Sequence, residues 1–180
     1  MRWLVLALVG AAICTVCDHL HATHGVLWYS HPVLWAQAWW VPLLFAGASL
    51  AAVGGATPIR RALGGRSDRA PTAREVAGDG IAFITAYAYT SFAPHDRPAV
   101  TMALLGAWWL ARVVRERSTW LIVFSLLTAV AGTAFEATWS RLGFFYYRHP
   151  DRFGVPLWLP GIYLHVALLA GPLERTVRGR

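Results

Sequence analysis

The chain has 180 residues, 57% of them hydrophobic and only 14% charged, with positive mean hydropathy and ten tryptophans. A soluble domain carries roughly a quarter charged residues, so an ordinary cytosolic enzyme does not fit, and the length admits one domain. The net charge of +7 suits nucleic acid at first sight, but all 16 basic residues are arginines scattered between long apolar runs instead of forming one face, and no nucleic-acid partner is expected. The composition is that of an all-α, polytopic membrane protein.

Crossing a bilayer core of about 30 Å takes roughly 20 apolar residues per helix. Six stretches qualify in chain order: 3–22, 37–56, 76–93, 98–114, 119–139 and 157–173. The first also fits a signal peptide, with Arg2, an apolar run over 3–9 and small residues at 10–12; cleavage would leave five spans in the same orientation. The stretch 57–75, rich in Gly, Arg, Ala and Pro, predicts a mobile cytoplasmic linker. With the N-terminus inside, 12 of the 16 arginines lie on the cytoplasmic side and Arg97, Arg141, Arg148 and Arg152 lie outside, so both termini are expected in the cytoplasm. The tryptophans agree. Trp28, Trp35, Trp39, Trp40, Trp139 and Trp158 gather at the outer boundary, and Trp3, Trp108, Trp109 and Trp120 at the inner one. The expected fold is one six-helix membrane domain over 1–180, without repeats at the 20–50 residue scale.

Small residues mark close helix contacts in lipid. The second span carries Gly47, Ala51 and Gly55 at four-residue spacing, and the fifth Ser125, Ala129, Thr133 and Ala137, so these two are expected to pack centrally. The third span is the most polar. Asp79, Phe83, Tyr87 and Thr90 form one helical stripe that should face the bundle interior or a cavity.

Cys14 and Cys17 form a lone CxxC followed by Asp18, His19, His21 and His24, and thiolate and imidazole are ligand types suited to zinc or copper. No second ligand pair follows at a metal-site spacing, so buried apolar cysteines beside a polar loop are the simpler reading, with a metal-handling or redox protein as the alternative. His165 lies about 12 Å into the sixth span at 1.5 Å per residue, where it serves either a lipid hydroxyl or ester, or a threonine on a neighbouring helix. Glu136 is expected to be solvated or paired with Arg141, and Asp79 paired with Arg74. No GxSxG, HExxH or phosphate-binding loop is present, so no catalytic residue and no cofactor is assigned.

Four sequence words then stand in register. Gln37-Ala38-Trp39-Trp40-Val41-Pro42 opens the second span, and Gly106-Ala107-Trp108-Trp109 precedes Arg112 and the 115–118 turn. Gly143-Phe144-Phe145-Tyr146-Tyr147 runs into Pro150-Asp151, and Leu157-Trp158-Leu159-Pro160 opens the sixth span; Arg74-Glu75 is similar too. Over 37–171 the chain resembles the Insig family, the sterol-responsive membrane proteins of the endoplasmic reticulum, as a bacterial homologue. The resemblance implies six helices, both ends in the cytosol, no enzymatic activity, a diglyceride-like or sterol-like lipid in a membrane cavity, and homo-oligomers. The inner membrane of a bacterium is the expected location. One departure counts against the animal-type partners Scap and HMG-CoA reductase. The family has an acidic residue just after the paired tryptophans, where this chain reads Leu110-Ala111-Arg112, and a reversed charge repels the old partner surface. The expected lipid site comprises Phe45, Phe83, Tyr87, Thr90, Ala129, Thr133 and His165.

Overall fold

A computed structural model describes residues 1–65 and 69–178. Arg66 and Arg180, two of the arginines counted for orientation, lie outside the described residues. Among the described residues six helices follow one another: α1 (Arg2–Thr23), α2 (Val41–Ala62), α3 (Ala73–Phe92), α4 (Pro98–Glu116), α5 (Thr119–Arg141) and α6 (Leu159–Arg178). Two short strands, β1 (Leu27–Tyr29) after α1 and β2 (Phe145–Tyr147) after α5, pair antiparallel. At 1.5 Å per residue each helix is about 30 Å long. By length and composition, α1, α2 and α5 are long and apolar enough to cross a membrane.

Local chemistry sets the helix ends. Thr72 accepts from the Glu75 amide at 3.2 Å, and the Glu75 carboxylate accepts from the Thr72 amide at 2.7 Å, a reciprocal cap that starts α3. Pro42 and Pro98 stand in the first turns of α2 and α4, where a missing N–H costs nothing. Two sequence expectations change at α2. Its start moves from 37 to Val41, because Trp35 and Ala36 hold left-handed φ of 53° and 59° in a tight turn whose N–H groups bond across from Gln37 to Leu34 at 2.8 Å. Its end moves past the expected linker boundary, since the helix continues through Thr57 and Pro58 to Ala62.

The structure reveals a repeat that the sequence reading did not find. Adding 118 to a residue number in α1–β1–turn–α2 gives its counterpart in α5–β2–turn–α6, and the two copies share their backbone bonds. Val26 N–H bonds His21 O at 2.9 Å as Phe144 N–H bonds Trp139 O at 3.2 Å, each beyond a left-handed glycine, Gly25 and Gly143. Val33 N–H bonds Gln37 O as Asp151 N–H bonds Val155 O, and Val41 N–H bonds Ala38 O as Leu159 N–H bonds Pro156 O. Ser30 N–H crosses to Phe144 O and Arg148 N–H to Val26 O. The copies meet at the strand pair, centred on the counterparts Trp28 and Tyr146, so a local two-fold axis passes there. Tyr29/Tyr147, His31/His149, Pro32/Pro150, Trp40/Trp158 and Pro42/Pro160 are among the identities that mark it. At an offset of 118 they lie far outside the short periods at which repeats are sought.

Within each copy the two helices pack closely. A Cβ at Gly10 would run into Ser49 on α2, and one at Gly132 into the Tyr163 ring on α6. The α3–α4 hairpin breaks the symmetry by packing on α6, which α5 and α2 also touch. Buried side chains form two clusters. The one nearer the strand pair includes Val26, Leu27, Phe83, Leu105, Trp158 and Ile162; the one nearer the chain ends includes Leu6, Val53, Val113, Trp120, Phe124 and Leu168.

Candidate functional site

A cavity of about 1460 Å³ runs lengthwise between α1, α2, α3, α5 and α6. Its middle is apolar, walled by residues such as Val9, Phe45, Ala48, Phe83, Phe124 and Val166. Gly47 on α2 and Gly80 on α3 line it, and a Cβ at either position would meet nothing within 4 Å. The small-residue face of α2 thus makes room for the cavity instead of drawing a neighbour close. Arg2, Ile59, Leu173 and Thr176 line one end, where Arg2 reaches the Thr176 carbonyl at 3.4 Å.

Asp18, Tyr29, Tyr87, Glu136 and Tyr163 line the other end, beneath the strand pair. Asp18 and Glu136 are counterparts in the two copies. The Asp18 carboxyl accepts from the Tyr29 hydroxyl at 2.7 Å, from Gln37 Nε2 at 2.6 Å and, more weakly, from the Tyr87 hydroxyl at 3.4 Å. Glu136 accepts from the Tyr147 hydroxyl, the counterpart of Tyr29, and from the Tyr163 hydroxyl at 2.5 Å. Burial first, and the adjoining carboxyl second, hold the Tyr29 and Tyr147 hydroxyls well above the usual phenol range, so both remain protonated donors at any biological pH. Among the described residues, neither carboxyl forms an ion pair.

The predicted site residues divide. Phe45, Phe83 and Tyr87 line the cavity. Thr90 is fully buried behind its wall, donating to the Tyr87 carbonyl at 2.8 Å and accepting from His21 Nε2 at 2.9 Å. Ala129 is buried in helix packing, Thr133 keeps a buried hydroxyl without a partner, and neither lines the cavity. His165 is also off the wall, in a second polar cluster. Its Nε2 donates to the Leu105 carbonyl at 3.2 Å, its Nδ1 accepts from Arg112 at 2.9 Å, and Arg112 pairs with Asp79 at 2.5 Å. Asp79 therefore pairs with Arg112, not Arg74, and Glu136 bonds tyrosines, not Arg141. The reversed charge at Arg112 points inward and ties α3, α4 and α6 together.

At the end of α6, Glu174 is almost fully buried and accepts from Thr57 at 2.7 Å, with Arg60 and Arg178 paired to it at 3.3 and 2.7 Å. The CxxC histidines disperse. His19 bonds the Trp35 carbonyl, His21 bonds Thr90 and His24 bonds the Leu20 carbonyl, while Cys14 faces the cavity and Cys17 is buried. Among the described residues no group of three or more His, Cys, Asp or Glu converges to hold a metal ion, so the metal-handling alternative has no structural support.

Gln37, Asp18 and the hydroxyls of Tyr29, Tyr147 and Tyr163 around the paired carboxyls were not foreseen as site residues, whereas Tyr87 was. The signal that could have found them is the shared offset: Asp18 to Glu136 and Tyr29 to Tyr147 are both 118 residues apart.

No protein-family model matches the chain. It is 29% identical to an Insig protein homologue of Mycolicibacterium vanbaalenii, across 98% of this chain and 86% of that protein. It is also 29% identical to the insulin-induced gene 1 protein of Danio rerio, across 98% of this chain and 72% of that one. Two crystal structures of a mycobacterial Insig homologue from M. vanbaalenii superpose with a TM-score of 0.80, at 26% and 25% identity, covering 99% of this chain and 95% of theirs; the second is of a cross-linked trimer.

Proposed function

The chain belongs to the Insig family, and on that premise we propose that it is a non-enzymatic membrane protein that holds a diglyceride-like or sterol-like lipid in its central cavity. The cavity carries this reading. Pockets for drug-sized ligands occupy about 300–1,000 Å³, with apolar walls and a few convergent polar groups. This one is larger, apolar along its length and polar at one end, as an amphiphile with long hydrocarbon chains requires.

All six helices cross the bilayer in this reading, with both ends of the chain in the cytoplasm of a bacterium and the strand pair outside. The start of α1 and the end of α6 lie on one side of the bundle, joined through Arg2 and Thr176. Exposed Ile81, Phe92, Leu104, Leu110 and Val114 give α3 and α4 the lipid-facing surface that their mean composition understates. A homo-oligomer fits as well, since a relative crystallised as a trimer.

The test is native mass spectrometry of protein purified in mild detergent. One lipid class held at near-unit stoichiometry is expected. Gly47→Phe or Gly80→Phe, which put a ring into open cavity space, should reduce that lipid at least several-fold while the thermal midpoint is kept. Loosely held bulk lipid, equally abundant in both variants, would sink the reading.

A further inference from the structure

The polar end of the cavity has spent its hydrogen-bond donors. Both amide protons of Gln37 are used, one on the Thr15 carbonyl at 3.0 Å and one on Asp18. The hydroxyl protons of Tyr29, Tyr87, Tyr147 and Tyr163 all go to the two carboxyls. What the groups lining the cavity still offer a ligand is lone pairs, on the phenol oxygens of Tyr29, Tyr87 and Tyr163 and on the carboxyl oxygens. His21, stacked on Tyr87 with ring centroids 4.3 Å apart and bonded through Nε2 to Thr90, lies behind this wall and adds no group to the chamber.

Charge narrows the class further. Two carboxyls share this end with no cation bonded to either among the described residues, and buried carboxylates are stable only when paired or fully hydrogen-bonded. An ammonium group supplies the absent charge together with N–H donors, and the surrounding tyrosine rings add cation–π attraction. A hydroxyl supplies one donor without the charge. A phosphate brings a third set of acceptors and more negative charge into a chamber that has neither donor nor cation for it.

Resting on the lipid-binding reading, the geometry points to a head-group site between Asp18 and Glu136 that takes an amphiphile with a protonated amine, ranks a neutral hydroxyl head below it, and excludes phosphate. The head would then meet the Asp18 carboxyl and the Tyr29 phenol from the first copy, and the Glu136 carboxyl and the Tyr163 phenol from the second.

The test holds the chains constant and changes only the head. Delipidated protein in detergent is offered dioleoylglycerol, its dimethylaminopropane analogue and dioleoylphosphatidic acid in equal amounts, and bound species are counted by native mass spectrometry near neutral pH. The amine is expected to be retained about tenfold over the phosphatidic acid, with the glycerol between them. In the Asp18→Asn, Glu136→Gln double variant the ratio of amine to glycerol should fall to about one. Phosphatidic acid held as well as the amine, or a ratio unchanged in the double variant, would overturn the head-group assignment and leave the cavity reading standing. No binding by any of the three overturns the cavity reading itself. If the double variant does not fold, the head series on the unmodified chain decides alone, supported by Tyr87→Phe and Tyr163→Phe, each of which should narrow the preference.

Discussion

In the first copy of the repeated unit the Asp18 carboxyl takes donors from Tyr29 and Gln37 of its own copy and from Tyr87 on α3. In the second, the Glu136 carboxyl takes only two, Tyr147 and Tyr163, both from its own copy. The backbone is shared; the surroundings are not. The α3–α4 hairpin leans on α6, leaving α6 buried through most of its length and α2 with few buried residues. The repeated unit thus supplies a carboxyl–phenol pair in each copy, and the unrepeated α3 and α4 make the space between them one-sided.

Changes that make one copy imitate the other test this contrast, and the largest effect is expected where the imitation collides with packing. Cys14 is the counterpart of Gly132, yet the Tyr163 ring fills the space a Cβ would need at 132. Gly132→Cys should therefore cost about 3 kcal/mol, the upper range for overpacking, seen as a lowered thermal midpoint in detergent. A midpoint close to that of the unchanged chain would show that the Tyr163 ring gives way to a side chain at 132.

Next comes the tie that the hairpin makes to α6. Arg112→Ala strands the partly buried Asp79 and the fully buried His165 Nδ1 at once, for a loss of about 2 kcal/mol. Adding Asp79→Asn should restore part of it. A double variant no better than Arg112→Ala would mean the loss comes from packing alone.

The donor count predicts a smaller inequality. Tyr147→Phe removes one of two donors from its carboxyl and Tyr29→Phe one of three, so Tyr147→Phe should cost about 2 kcal/mol and Tyr29→Phe about 1. Equal losses would mean that Gln37 and Tyr87 do not compensate.

The smallest effect is in pH. His149 stacks on His95 at 4.7 Å, whereas its counterpart His31 makes no ring contact among the described residues. Burial, and then the neighbouring His149, lower the His95 pKa below its ordinary value. The unfolded chain therefore binds the proton first as pH falls through about 6.5, and stability should decline modestly there while staying flat above about 7. In His95→Gln the slope of the thermal midpoint between pH 7 and 5 should flatten; an unchanged slope would assign it to other groups.

Helix number and order were legible because long apolar runs separated by arginine clusters and glycines leave little choice. The α2 boundary was not. Gln37 to Trp40 is as apolar as a helix start, and only the paired left-handed turn explains why it is not one. Phe83 and Tyr87 were readable as an inward stripe, since the 3.6-residue period requires it. The carboxyl pair was harder. Asp18 sits beside a CxxC and Glu136 beside Arg141, so each invited a local explanation, and their partners lie in strands, a turn and other helices that only the folded chain brings together.

Arg2 touching the Thr176 carbonyl has one more consequence. The ends of α1 and α6 are neighbours, so the path of the chain is close to a closed ring. A version reopened between α2 and α3 and linked across the original ends would run α3, α4, α5, α6, α1, α2. The two copies would then be adjacent in the gene, with the hairpin as a leading segment, and the carboxyl–phenol chamber would be assembled by one uninterrupted tandem.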